Sequence, residues 1–147
     1  YELGKVLGEL LYDEAWEGLA ERRQFNNFLS PIIVTVPVSK KRKRQRGYNH
    51  ALLIARGFAN QTHGECPIVE NILEKYRDTK RQAEIKVRKE RLSNLKDSFR
   101  VTNPSLIKGK NVLLIDDVTT TGATFDEATR ALKKSGARSV VRLALAH

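Results

Sequence analysis

Residues 112–124 read VLLIDDVTTTGAT, and no other stretch limits the fold so narrowly. Val112–Ile115 is continuously apolar, without the alternation of a strand that is wet on one face, so it demands burial on both faces, as in a parallel sheet covered by helices. The run ends in two carboxylates, Asp116 and Asp117, and passes through a hydroxyl-rich loop with one glycine. Residues Thr124–Ser135 then read as a helix, with a capping box from Thr124 to Glu127 and Gly136 as its stop. Strand, loop and helix in that order put the loop at the carboxyl edge of the sheet, where α/β folds bind ligands.

The residue types in that loop select the ligand. Backbone N–H groups, the hydroxyls of Thr119, Thr120, Thr121 and Thr124, and the positive end of a helix dipole suit a phosphate. Gly122 lets the backbone approach the anion closely. Asp116 and Asp117 would repel a phosphate set directly on them. They are better used in accepting hydrogen bonds from vicinal hydroxyls, or beside a metal. Taken alone, the acid pair fits a solvated loop and the TTTG a plain turn. In this order, between strand and helix, they describe a site for a ribose 5-phosphate. Neither GxxxxGK[ST] nor GxGxxG occurs, so nucleoside triphosphate and dinucleotide sites lack support.

The rest of the 147 residues, enough for one domain, continues the alternation of helix and strand. Leu3, Val6, Leu7, Leu10, Leu11, Ala15 and Leu19 predict an amphipathic helix over 3–19 with Glu9, Asp13, Glu14 and Glu17 opposite. Trp16, Phe25 and Phe28 are expected to pack. Strands are predicted at 32–36, 67–73, 99–101 and 139–146, and a second helix at 50–61. The polar stretch 74–94 fits neither period and is expected to run over the surface. The expected class is therefore α/β with a mainly parallel sheet. No apolar run reaches the length of a membrane span. No signal or transit peptide is read at the start, and the single Cys66 excludes an internal disulfide and suits a reducing, cytoplasmic setting.

Charge is concentrated. The net +10 resides in residues 38–47, with six positive and no negative charges, and residues 74–100, with ten positive and five negative. Elsewhere eleven positive charges meet twelve negative ones. Such focusing implies an anionic partner, either a small phosphate-bearing molecule or a nucleic-acid backbone. Tyr48 and Tyr76 border the two segments, where stacking on bases and simple packing are both open. His50, His63 and His147 show no ligand spacing, so no structural metal site is expected. Cys66 reads as a buried small hydrophobe.

The segment 112–124 closely resembles the phosphoribosyl diphosphate (PRPP) motif of type I phosphoribosyltransferases. The order VPV (36–38), RGYNHALLIA (46–55), RDTKRQ (77–82), ERLSNLKDSF (90–99) and DDVTTTGAT resembles the ComF family of competence-related, phosphoribosyltransferase-like proteins over nearly the whole chain. The resemblance implies a parallel sheet flanked by helices with a small hood, a flexible loop about residues 74–94, and one domain over 1–147. It implies that Asp116 and Asp117 are the catalytic pair holding the ribose hydroxyls. Thr119, Thr120, Thr121, Gly122, Ala123 and Thr124 would cradle the 5-phosphate, with Mg²⁺ on the pyrophosphate. Val38, Ser39 and Lys40 fall at the pyrophosphate loop, while Arg77, Lys80, Arg81, Arg88 and Arg91 fall in the closing loop. Gln82 and Asn94 also match the pattern; His50 stands where glutamine is common. Many members carry an amino-terminal four-cysteine zinc module, which one cysteine cannot supply. Six cations exceed what a diphosphate needs, so Lys40, Lys41, Arg42, Lys43, Arg44 and Arg46, with Tyr48, are expected to follow a single-stranded nucleic acid. Two functions are therefore carried forward. One is a PRPP-binding factor that handles single-stranded DNA in natural transformation, alongside competence or DNA-processing proteins. The other is a transferase passing ribose 5-phosphate to a nucleobase or amine.

Overall fold

A computed structural model describes residues 2–38, 44–45, 47–75, 98–118 and 122–146. In chain order the elements are α1 (Glu2–Phe25), β1 (Ile32–Thr35), α2 (His50–Gln61), β2 (Leu73–Lys75), β3 (Phe99–Val101), β4 (Asn111–Val118), α3 (Ala123–Lys134) and β5 (Ser139–Ala146). A 3-10 turn, Pro104–Leu106, precedes β4.

The sheet is built around β4, which pairs in parallel with β1 on one side and β5 on the other. The register sets Ile32 opposite Val112 and Asn111 opposite Ser139. Side chains alternate across a strand, and both faces here are covered. Ile32, Val34, Val36, Val112 and Leu114 pack under Phe125, Ala128 and Leu132 of α3, with Leu73 and Phe99 of the antiparallel β2–β3 pair. Ile33, Leu113 and Ile115 face Ile54, Ala55 and Phe58 of α2 and Leu11 and Leu19 of α1. Val112–Ile115 retains no exposed surface, as its unbroken apolar run requires. Each such side chain contributes ~1.5–3 kcal/mol by leaving water. Asn111 anchors the start of β4: its Nδ2 donates to the Leu29 carbonyl at 2.7 Å, and its Oδ1 accepts from Ser139 Oγ at 2.7 Å.

Helix α1 runs past the predicted 3–19, and its predicted apolar stripe is covered in part: Leu7, Leu11, Ala15 and Leu19 join the core, whereas Leu3, Val6, Leu10 and Phe25, the last of them expected to pack, do not. Leu3, Val6 and Leu10 are exposed, as is Phe25, while Gly8, Leu11 and Leu19 are buried. Glycine decides this orientation. A methyl group at Gly8 would lie 2.2 Å from the Ile54 carbonyl oxygen, and one at Gly57 would lie 2.4 Å from the Lys5 carbonyl oxygen. The two helices touch backbone to backbone, and Leu3, Val6 and Leu10 turn outward. Tyr12 stacks on Trp16 at 4.7 Å and meets Phe58 edge-on at 5.4 Å beside this seam.

The predicted strand over 67–73 is divided. Ile68 alone bridges to Ile33 in parallel. A turn at Glu70–Asn71 follows, Asn71 taking the left-handed φ of 58° that asparagine tolerates. The chain then joins β3 in the opposite sense, so Glu74 and Lys75 belong to β2 and not to the loop expected from residue 74. Among the described residues, no helix is long and apolar enough to cross a membrane.

Candidate functional site

Parallel β1 and β4 end at the same edge of the sheet. The Val36 N–H donates to the Ile115 carbonyl at 3.0 Å, which sets Pro37 and Val38 beside Asp116. Helices α2 and α3 begin at this edge after their loops, so two helix amino ends and two carboxylates share it. Their dipoles make the edge favourable to anions.

Gly122 caps α3 with φ 77° and ψ −2°, a left-handed conformation that costs glycine little. The predicted capping box from Thr124 to Glu127 is not formed. The helix already begins at Ala123, so Thr124 lies inside its first turn, and the cap position falls to Gly122, which has no side chain to offer. Thr124 is half-buried and Ala123 buried.

Both acids lie within β4 and not beyond it. Asp116 is opposite Ala144 in the register with β5, and the Asp117 N–H donates to Asp116 Oδ1 at 2.8 Å. Burial pushes the Asp116 carboxyl up to about 7, and the hydrogen bond and charge of the Asp117 side chain push the same way. At pH 7 the Asp116 carboxyl is therefore about half protonated, and can either donate to or accept from a vicinal diol. Among the described residues no group of three His, Cys, Asp or Glu side chains gathers to hold a metal.

On the β1 side, the sequence Gly47-Tyr48-Asn49-His50 turns the chain into α2. Gly47 has φ 77°, and Asn49 is the N-cap, its Oδ1 accepting from the Ala51 N–H at 3.0 Å. Tyr48 is half exposed, with its ring 4.7 Å from that of His50. Tyr48, Asn49 and Val38 line a cavity of about 590 Å³ with Thr35, Leu52, Arg56, Glu70 and Asn71. Arg56 pairs with Glu70 at 3.1 Å on its wall. Sequence reasoning missed Thr35, Arg56 and Glu70 as lining residues. The helical spacing of Asn49, Leu52, Leu53 and Arg56 is the one signal that could have found the α2 wall. Cys66 is buried, and burial raises its thiol pKa, in keeping with a packing role.

The structure thus brings Asp116, Asp117, Gly122, Ala123, Thr124 and Val38 to one edge, with Tyr48 beside it; Arg44 is exposed. The other predicted residues lie outside the described ones: Ser39, Lys40, Lys41, Arg42, Lys43 and Arg46; Tyr76, Arg77, Lys80, Arg81, Gln82, Arg88, Arg91 and Asn94; Thr119, Thr120 and Thr121; and His147.

The phosphoribosyl transferase domain model matches residues 44–147. The chain is 32% identical over 139 residues to the DNA utilization protein YhgH of Escherichia coli K12, covering 95% of this chain and 58% of that protein. It is 29% identical to competence protein F of Haemophilus influenzae, covering 94% and 58%. It is 34% identical over 105 residues to competence protein ComFC of Bacillus subtilis, covering 71% and 39%. The chain therefore spans less than two thirds of the length of these relatives. In structure it resembles the glutamine PRPP amidotransferase of Bacillus subtilis, with a TM-score of 0.55 at 22% identity over 95% of this chain and 25% of that one. With its parallel sheet and flanking helices, the chain belongs to the phosphoribosyl transferase domain family, as a ComF-family, phosphoribosyltransferase-like protein.

Proposed function

We propose that the carboxyl edge of the sheet binds PRPP or a related phosphoribosyl ligand with Mg²⁺, and that this ligand serves a protein handling single-stranded DNA in natural transformation. One observation carries the ligand reading: Asp116 and Asp117, joined by the Asp117 N–H to Asp116 Oδ1 at 2.8 Å, end β4 beside the amino end of α3, where Gly122 takes the cap position. Asp116 and Asp117 hold the ribose 2- and 3-hydroxyls, and the Thr119–Thr124 loop takes the 5-phosphate. The diphosphate then points toward Val38–Lys40 and the amino end of α2, with Arg77, Lys80, Arg81, Arg88 and Arg91 as the further cations proposed to answer it. Among the described residues no third acid or His joins Asp116 and Asp117, which suits Mg²⁺, an ion that keeps its waters and binds through substrate phosphates. Bound there, the ion offsets the charge of the diphosphate. The DNA role draws on the names of the relatives and on the cations of residues 38–47.

A second reading, transfer of ribose 5-phosphate to a nucleobase or amine, is favoured by the 590 Å³ cavity beside β1. Its size and mainly apolar lining suit a small flat acceptor. In that reaction the bond from C1 to the diphosphate breaks as the acceptor nitrogen bonds C1, and the nitrogen then loses its proton. Calorimetry with PRPP and Mg²⁺ tests the ligand reading: binding is expected in the native protein and strong weakening in Asp117→Asn. Equal affinity in both removes the site. Product analysis with a panel of bases and amines separates the two roles, since turnover with one acceptor favours the transferase.

A further inference from the structure

The chain's charge distribution has a third component that is invisible in linear order. Residues 102–111 contain Lys108 and Lys110 and no acid; residues 132–140 contain Lys133, Lys134 and Arg138 and no acid. The fold ties these two stretches together. The Gly109 N–H donates to the Gly136 carbonyl at 2.8 Å, and the Arg138 N–H donates to the Lys110 carbonyl at 2.8 Å. Lys133 Nζ reaches the Arg138 carbonyl at 3.1 Å. Five cations are thus fixed at the amino edge of the sheet, where β4 and β5 begin and α3 ends. That edge is opposite the acid pair, at a distance of roughly 20 Å given the rise of a strand over β4.

Beside this cluster, a groove of about 790 Å³ runs between β3 and α3. Arg100, Lys108, Arg130 and Lys134 line it with Glu127. Arg130 pairs with Glu127 at 3.7 Å and Arg100 with Glu74 of β2 at 3.0 Å, so the net positive charge comes from the lysines and from the cluster at the groove's end. Glu127, Arg130 and Lys134 recur at helical spacing on one face of α3, so the cations follow the groove's length. Clustering like charges on a rigid backbone disfavours the compact state unless an anion answers it. The bound anion must also be extended, because the cations are spread along the groove and around its end and do not converge on one point.

We propose that this groove and the adjoining cation cluster form a second nucleic-acid surface, which tracks the phosphate backbone of a single strand without reading bases. An extended strand can lay its phosphates against the exposed Lys108 and Lys134 and on to Lys110 and Arg138. The surface is independent of the phosphoribosyl reading and lies at the other end of the molecule.

The test is fluorescence anisotropy of a labelled oligothymidylate against salt concentration, with the native protein and the double variant Lys108→Gln/Lys134→Gln. Each phosphate contact on a single strand contributes about 0.7 to the slope of log K against log salt, so the variant is expected to lose about 1.4. PRPP binding by the same variant should equal that of the native protein, which shows that it folds. If PRPP does not bind even the native protein, the urea midpoint reports folding in its place, and failure of the two readings stays separable. The charge-preserving Lys108→Arg/Lys134→Arg variant should keep the native slope. A native slope in the glutamine variant overturns the proposal. So does loss of binding to vesicles of anionic phospholipid with the DNA slope unchanged, which would make the face a lipid surface.

Discussion

Replacing Asp116 by Asn should stabilise the protein in a pH-dependent way. In the unfolded chain this carboxyl titrates near 3.8; in the fold, burial and Asp117 hold its proton until about 7. Below the lower value it is protonated in both states and contributes nothing to the pH dependence. Between the two values only the unfolded chain gives up the proton, so unfolding becomes easier as pH rises, by about 1.4 kcal/mol per pH unit. Above the upper value the loss is complete, at about 4 kcal/mol as an upper bound. Asparagine is neutral throughout and keeps a carbonyl oxygen to accept from the Asp117 N–H. Asp116→Asn should therefore match the native protein near pH 4 and exceed it by several kcal/mol near pH 8. Urea unfolding followed by Trp16 fluorescence at a series of pH values measures the difference. Parallel stability curves for the two proteins would refute the buried, proton-holding carboxyl. Binding of PRPP should move the opposite way, weakened in the stabilised variant.

Alanine at Gly8 gains about 0.5–1 kcal/mol in helix propensity, yet should lower stability by ~1–3 kcal/mol, because its methyl meets the Ile54 carbonyl at 2.2 Å. A urea midpoint equal to or above that of the native protein would contradict the backbone seam. Gly122→Ala meets no atom of the described residues within 4 Å, so its expected cost is the strain of φ 77°, ~1–2 kcal/mol. Gly122→Asn should recover part of that loss, and equal midpoints for the two variants would exclude a left-handed cap.

Much of this arrangement was legible in sequence where one physical demand dominated. Val112–Ile115 had to be buried on both faces, and residues 50–61 and 139–146 carried unmixed patterns; the structure places all three as expected. Residues whose roles depend on partners distant in sequence were not legible. The leucines of α1 predict a broad apolar stripe, but the close approach of Gly8 and Gly57, 49 positions apart in the chain, leaves Leu3, Val6 and Leu10 outside the core while Leu7, Leu11 and Leu19 enter it. Strand 67–73 failed because the left-handed turn at Asn71 redirects the chain, and asparagine's tolerance of that turn does not announce it. At the site, the two acids and the threonine-rich stretch after them form a local motif in the sequence. The cavity wall at Arg56 and Glu70, and the cations brought together at Gly109 and Gly136, needed the fold.

The backbone contact between α1 and α2 also constrains how this protein can vary. A methyl at either Gly8 or Gly57 forces the helices apart, and that separation makes room for a methyl at the other. Alanine at both positions should thus cost less than the sum of the single changes. Such epistasis makes each glycine costly to lose alone, while the pair can change together. The seam is therefore a ratchet in sequence space: the first step is opposed, and the second is nearly free once the first is taken.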